Sequence, residues 1–163
     1  MPSMDIVSQI DAHEYENAMT QSKKEITTRY DFKGGKCYIE WDPESITVTA
    51  ENEERLKVVR EVVYTKLSKR GISLSSLDTT GKVEPASGMT VRQKIAVKKG
   101  IQDEDSRRIM KSIKEAPLKK IQAQRQGDQI RVTGPKIDDL QALMQWLKTH
   151  VTDVSLQYEN FKR

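Results

Sequence analysis

The chain has 163 residues, 36% hydrophobic, 6% aromatic and 32% charged, with 28 Lys plus Arg against 24 Asp plus Glu. That length fits one ordinary domain or two small ones, and no window approaches the roughly 18 consecutive apolar residues of a membrane-spanning helix. One cysteine, Cys37, and two histidines, His13 and His150, exclude an intramolecular disulfide and a Cys/His metal cluster.

The start, Met1-Pro2-Ser3-Met4-Asp5, has neither a basic segment nor an apolar secretory core, so a cytoplasmic protein with no membrane partner is expected. Charge is uneven along the chain. Residues 1–88 hold 12 basic and 15 acidic side chains, residues 89–163 hold 16 and 9, so a polyanion should prefer the second half.

The apolar pattern opens with a short strand at Met4 to Ser8. Asp11 stands where a helix N-cap belongs, and Tyr15, Ala18, Met19, Ile26 and Tyr30 form one helical stripe. Asp31-Phe32-Lys33-Gly34-Gly35 ends that helix. Cys37, Ile39 and Trp41 alternate with polar residues, Asp42-Pro43-Glu44-Ser45 turns the chain, and Ile46, Val48 and Ala50 complete a hairpin. Asn52 caps a second helix carrying Leu56, Val59, Val63 and Leu67, stopped by Gly71, and Ile72 to Leu77 reads as a weaker strand. Asp78 to Gly88 has no sustained period and reads as a linker.

The second half repeats the order: strand Val91 to Lys98 with Ile95 and Val97 inward, helix from about Asp103 to Ala116, and strand Leu118 to Gln126. A turn at Gly127-Asp128 leads to strand Gln129 to Thr133, helix Lys136 to His150 and strand Val154 to Phe161. Both halves thus read βαββαβ, the order of an α+β, ferredoxin-like unit in which two helices cover one face of a four-stranded antiparallel sheet.

Such a sheet leaves its second face open. In the second half, that face is expected to show Lys94, Ala96, Lys98, Gln122, Gln124, Gln126, Gln129, Arg131, Thr133 and Gln157. Its amides suit base edges and sugar hydroxyls and its cations suit phosphates, with few acids among them, although a half-solvated sheet is polar on that face in any case. RNA-recognition domains share this topology and stack bases on an aromatic RNP1 strand, but the strands around Ile95 and Ile130 contain no aromatic residue. Tyr38, between Lys36 and Glu40, is the aromatic expected on the other open face, where a single aromatic is more often just sheet surface.

A second constellation is Arg29-Tyr30-Asp31-Phe32-Lys33-Gly34-Gly35, a glycine loop flanked by basic residues that suits a phosphate. A plain helix stop explains the same glycines, and a helix C-terminus repels anions. Catalytic signatures are missing: there is no Walker loop, no His-Glu-x-x-His and no nucleophile elbow, and Cys37 shares a strand face with Ile39 and Trp41. No enzyme activity and no cofactor are expected.

Taken end to end, the chain resembles the YajQ family of bacterial proteins. The resemblance rests on Met1 to Ser8, Arg29 to Gly34, Lys69-Arg70-Gly71-Ile72, Lys98 to Ile101, Ile121 to Gln124, Gln126 to Gly134, Asp138-Asp139-Leu140-Gln141 and Gln157 to Phe161. It implies two ferredoxin-like units that exchange first strands: one of residues 9–99 including strand 91–98, the other of residues 1–8 plus 100–163. It further implies non-enzymatic nucleotide binding, of a cyclic dinucleotide such as cyclic di-GMP or of RNA such as transfer RNA, with a transcriptional regulator as a partner. The rival reading is a protein-interaction module with no physiological nucleotide.

Carried onto this chain, the resemblance points to Glu25, Arg29, Phe32 and Lys33 at the first loop and to Gln122, Gln124, Gln126, Asp128 and Arg131 on the second hairpin, beside Lys94 and Lys98 from the open face. The chain departs from the family pattern at Met4 and Tyr30, where Phe is expected, at Arg125, and at Pro135 and Ile137, where basic residues are usual.

Overall fold

The computed structural model describes residues 1–32 and 34–163. In chain order the elements are β1 (Ser3–Val7), α1 (Ala12–Thr28), β2 (Tyr38–Asp42), β3 (Ser45–Ala50), α2 (Glu53–Lys69), β4 (Leu77–Asp78) and β5 (Glu84–Ala86). They continue with β6 (Thr90–Val97), α3 (Asp103–Glu115), β7 (Gln122–Gln126), β8 (Gln129–Thr133), α4 (Ile137–His150) and β9 (Gln157–Lys162). The chain divides into Ile10–Lys98 and a second unit made of Met1–Gln9 with Lys99–Arg163. Each unit pairs two helices with one antiparallel sheet, the ferredoxin-like α+β arrangement.

In the Ile10–Lys98 unit the strands lie in the order β2-β3-β6-β4, with β5 also on β6. The central β6 follows the linker in sequence, so the first strand of the second repeat completes the first sheet. Asp11 starts α1 by accepting the amides of His13 and Glu14, and Asn52 starts α2 by accepting that of Arg55. Ile39, Ile46, Val48 and Ile95 face the helices and meet Met19, Ile26, Leu56, Val59 and Val63 in one core. Each such side chain, fully buried, contributes about 1.5–3 kcal/mol.

Tyr30 does not extend the α1 stripe. The helix ends at Thr28 because Arg29 is extended, and Tyr30–Phe32 form a 3-10 turn that leaves Tyr30 90% exposed and puts Phe32 into the core instead. The strand expected over Ile72 to Leu77 is mostly absent. Ser73 caps a 3-10 turn at Leu74–Ser76, and only Leu77 and Asp78 pair with β6. The supposed linker contains β5, which pairs residues 84–86 with Thr90–Arg92.

The other sheet runs β7-β8-β1-β9. The strand from the beginning of the chain is central here, paired Met4 to Val132 on one side and Ile6 to Tyr158 on the other. Met4, Ile6, Ile130 and Val132 pack under Ile109, Ile113, Leu140, Leu143 and Leu147. β7 begins only at Gln122, four residues later than the apolar pattern indicated, because Leu118 and Ile121 sit in a loop whose Lys120 has φ 64°. Gly127, with φ 65°, supplies the positive angle at the first position of the two-residue β7–β8 turn.

Candidate functional site

Strand register decides which side chains share an open face. In the Ile10–Lys98 sheet, Tyr38 on β2 stands opposite Thr49 on β3, which stands opposite Arg92 on β6; the next row reads Glu40, Thr47, Lys94. Adjacent strands lie about 4.8 Å apart, so Tyr38 and Arg92 are separated by roughly 10 Å across the buried Thr49. Tyr38 is 48% exposed, and Arg92 and Lys94 are exposed. Neither cation forms an ion pair among the described residues. Lys94 does lie close enough to Asp42 to help hold that carboxyl below its usual range, behind the larger effect of the Glu44 amide that the carboxylate accepts.

Lys94 therefore does not join Gln122, Gln124 and Gln126. The exchange of first strands puts it on the other sheet, and Lys98 lies beyond the end of β6, its amide donating to Ser76 O at 2.8 Å. Val97, expected inward, is only half-buried at the strand end.

In the second sheet, Gln122, Gln124 and Gln126 alternate outward on β7, opposite Thr133, Arg131 and Gln129. The expected shortage of acids fails here because β1 and β9 bring Asp5 and Glu159 to the same face. Asp5 is 5% exposed. Its Oδ1 accepts from Arg131 Nε at 2.9 Å, and its Oδ2 accepts from Arg131 Nη2 at 3.3 Å and from Asn160 Nδ2 at 2.9 Å. The Arg131 hydrogen bond holds the Asp5 carboxyl below the usual carboxylate range; burial opposes it, and Asn160 adds to the lowering. Arg131 is thus a structural tie between β8 and β1, not a free cation. Asp128, in the turn, packs where a side chain on Gly100 would collide, and its carbonyl accepts the Ile101 amide at 2.8 Å.

Around the first loop, Glu25 accepts from Lys66 at 3.2 Å, and Arg29 pairs with Asp31 at 2.7 Å and more distantly with Glu25 at 3.9 Å. Phe32 is 4% exposed and carries the Arg29 guanidinium 5.3 Å above its ring, so it is a core residue, not a stacking surface for a ligand. Lys33 lies outside the described residues. A groove of about 350 Å³ between α1 and α2 is lined by Glu25, Arg29, Lys57, Glu61 and Lys66, a mixture of both signs. Cys37 is half-buried and burial pushes its thiol up, which suits packing and opposes nucleophilic chemistry.

The structure therefore brings together Tyr38, Arg92 and Lys94; from sequence, Lys94 is assigned to the other half's open face, Tyr38 is noted as a surface aromatic, and Arg92 is not singled out. Arg92 alternates with Lys94 on one strand, so its orientation was readable. Its neighbours were not, because periodicity fixes a face and says nothing of which strand lies alongside.

A family model described as "Nucleotide-binding protein YajQ-like" matches residues 2–162. The chain belongs to the YajQ-like family. It is similar over 99% of both sequences to a "Nucleotide-binding protein" of Trichlorobacter lovleyi (49% identical over 162 residues). Nucleotide-binding proteins of Magnetococcus marinus and Geobacter sp. strain M21 are each 48% identical over 162 residues, again with 99% of both sequences covered. These YajQ-like relatives carry names that describe binding, not catalysis. No helix among the described residues is long and apolar enough to cross a membrane.

Proposed function

We propose that this YajQ-like protein is a non-enzymatic sensor or adaptor that binds a phosphodiester-linked nucleotide on the open face of the β2-β3-β6 sheet. Tyr38 supports one base by stacking, Arg92 and Lys94 neutralise phosphates, and the Thr47 hydroxyl serves a base edge or ribose hydroxyl. The observation that carries this reading is the exposed Tyr38 in register with Arg92 about two strand spacings away, with Lys94 in the adjacent row beside Glu40 and Thr47, neither cation forming an ion pair among the described residues.

Single-stranded RNA fits this face better than a cyclic dinucleotide. The face exposes Tyr38 and Glu40 on β2 and Arg92 and Lys94 on β6 across a β3 whose Thr49 is buried, and an extended strand can lie across it without needing the walls of an enclosed pocket. The test is a titration of the full chain with an oligouridylate, cyclic di-GMP and a mononucleotide at rising salt. The oligouridylate is expected to bind most tightly, with a salt slope that falls by roughly 0.7 for each of Arg92→Ala and Lys94→Ala. Tyr38→Ala should cost about 1–3 kcal/mol of binding at unchanged salt slope. Unaltered affinity in all three variants would place the ligand on another surface. Tighter, salt-insensitive binding of cyclic di-GMP would assign the face to the smaller ligand.

A further inference from the structure

β7 is an edge strand with one side unpartnered. Gly134 donates its amide to Pro2 O at 3.0 Å, so even-numbered residues of β8 turn their backbone groups toward β1 and odd-numbered ones toward β7. The hydrogen-bonded pairs of the β7–β8 ladder are accordingly Gln122–Thr133, Gln124–Arg131 and Gln126–Gln129. The N–H and C=O groups of Ala123 and Arg125 point the other way, and no hydrogen bond from another described residue reaches them.

A cleft of about 670 Å³ follows this free edge, and it is bordered by side chains from both faces of the strand. Met110, Ile113, Leu118, Ile121 and Ala123 form its helix side, and its open side is formed by Gln122 and Gln124 with Arg131 and Thr133 of the neighbouring β8. A second groove of about 320 Å³ shares Met110 and Lys114 with the first and is lined further by Arg107, Lys111 and Arg125. The edge is therefore apolar at its Ile121 end and basic at its Arg125 end. Arg125 is paired with Asp103, whereas Arg107, Lys111 and Lys114 have no ion pair among the described residues.

We propose that β7 receives an extended acidic segment of a partner protein as an added strand, its apolar residues over Ile113, Leu118 and Ile121 and its carboxylates at Lys114, Lys111 and Arg107. An added strand uses the free backbone groups of Ala123 and Arg125 and fills both sides of the cleft with alternate side chains. A phosphate backbone would satisfy the cations and leave the backbone edge and the apolar floor unused. A second copy of this chain offering its own β7 would bring only Ala123 as an apolar side chain, no carboxylate, and another cation in Arg125. The charge of the groove therefore selects an acidic partner strand.

The test is amide hydrogen exchange and chemical-shift mapping of the full chain with a synthetic ten-residue peptide, isoleucine and threonine alternating in one half and glutamates in the other. A peptide with lysines replacing the glutamates and an oligouridylate are the comparison probes. The acidic peptide is expected to protect the Ala123 and Arg125 amides by about tenfold or more, with neither comparison probe doing so. Ala123→Pro removes an outward N–H without touching the β8 ladder and should abolish that protection at Arg125. Lys111→Glu and Lys114→Glu, on an exposed helix face, should each weaken the peptide roughly fivefold. Absence of protection by the acidic peptide, equal protection by the lysine peptide or the oligouridylate, or protection that rises with protein concentration alone, would each overturn the proposal.

Discussion

Asp5 is the residue on which the second sheet's open face turns. It is the buried acid of a four-stranded surface, and its two oxygens are shared between a guanidinium on β8 and an amide on β9. Its folded-state carboxyl titrates below the unfolded reference of about 3.9, so the pair adds stability above that pH and loses it as pH falls through the depressed folded value. Asp5→Asn should therefore lower stability near neutral pH and flatten the acid limb of the stability–pH curve below about pH 4. Denaturant unfolding at several pH values reads both effects; a variant curve parallel to the parent's at every pH would show that the pair contributes nothing. Arg131→Ala strands the same buried carboxylate, so it should destabilise the fold more than it weakens polyanion binding. On the proposed reading, the cations whose removal tests binding are Arg92 and Lys94.

At the scale of elements, β6 is held on its outer side by two fragments too short to stand alone, β4 at one end and β5 at the other. Between them Gly81 lies against the strand, where a Cβ would come 2.4 Å from the Lys94 carbonyl oxygen. The buried Gln93 side chain fixes this loop, donating to Gly81 O at 2.7 Å and accepting from Arg60 of α2 at 2.6 Å. Gly81→Ala forces backbone against backbone and should cost about 1–3 kcal/mol, the cost of overpacking, with faster amide exchange confined to the segment from Leu77 to Ala86. This region is also where sequence reading failed. Asp11 and Asn52 were legible as caps because a cap is a contact over three residues, and the helical stripes were legible because burial repeats within one element. β5 was not, since Glu84-Pro85-Ala86 has no strand pattern of its own and pairs only because β6 offers an edge. Tyr30 fitted the α1 period by spacing, and the early helix stop at Arg29 handed its place to Phe32. The candidate site was half legible for the same reason: Lys94 and the three β7 glutamines were assigned correct faces, and pooling them was an error of strand partnership that alternation cannot detect.

At the scale of the whole molecule, that partnership decides which pieces of chain can fold. All five strands of the β2-β3-β6-β4 sheet, with β5, come from one continuous stretch, Ile10–Lys98. The other sheet is interrupted, because its central β1 comes from the first nine residues and its remaining strands from Lys99 onward. A fragment of residues 10–98 should fold alone, and one of residues 1–88 should not, having lost central β6 and with it Ile95 from the core. A fragment of residues 89–163 should likewise fail, since without β1 the β8 and β9 strands face an empty position and Met4 and Ile6 are missing from the core. Ser3 stands opposite Lys162, so the two chain ends of this unit already lie on adjacent strands. Joining them by a short glycine–serine loop, in a permuted chain that runs from residue 99 to 163 and then from 1 to 9, restores every pairing of the sheet. Circular dichroism and amide-proton dispersion should therefore show a folded permutant beside an unfolded 89–163 fragment. Cooperative folding of the unpermuted 89–163 fragment would mean that β8 and β9 can close on each other without the strand between them, and the exchange of first strands would then be a feature of the full chain that the C-terminal sequence does not require.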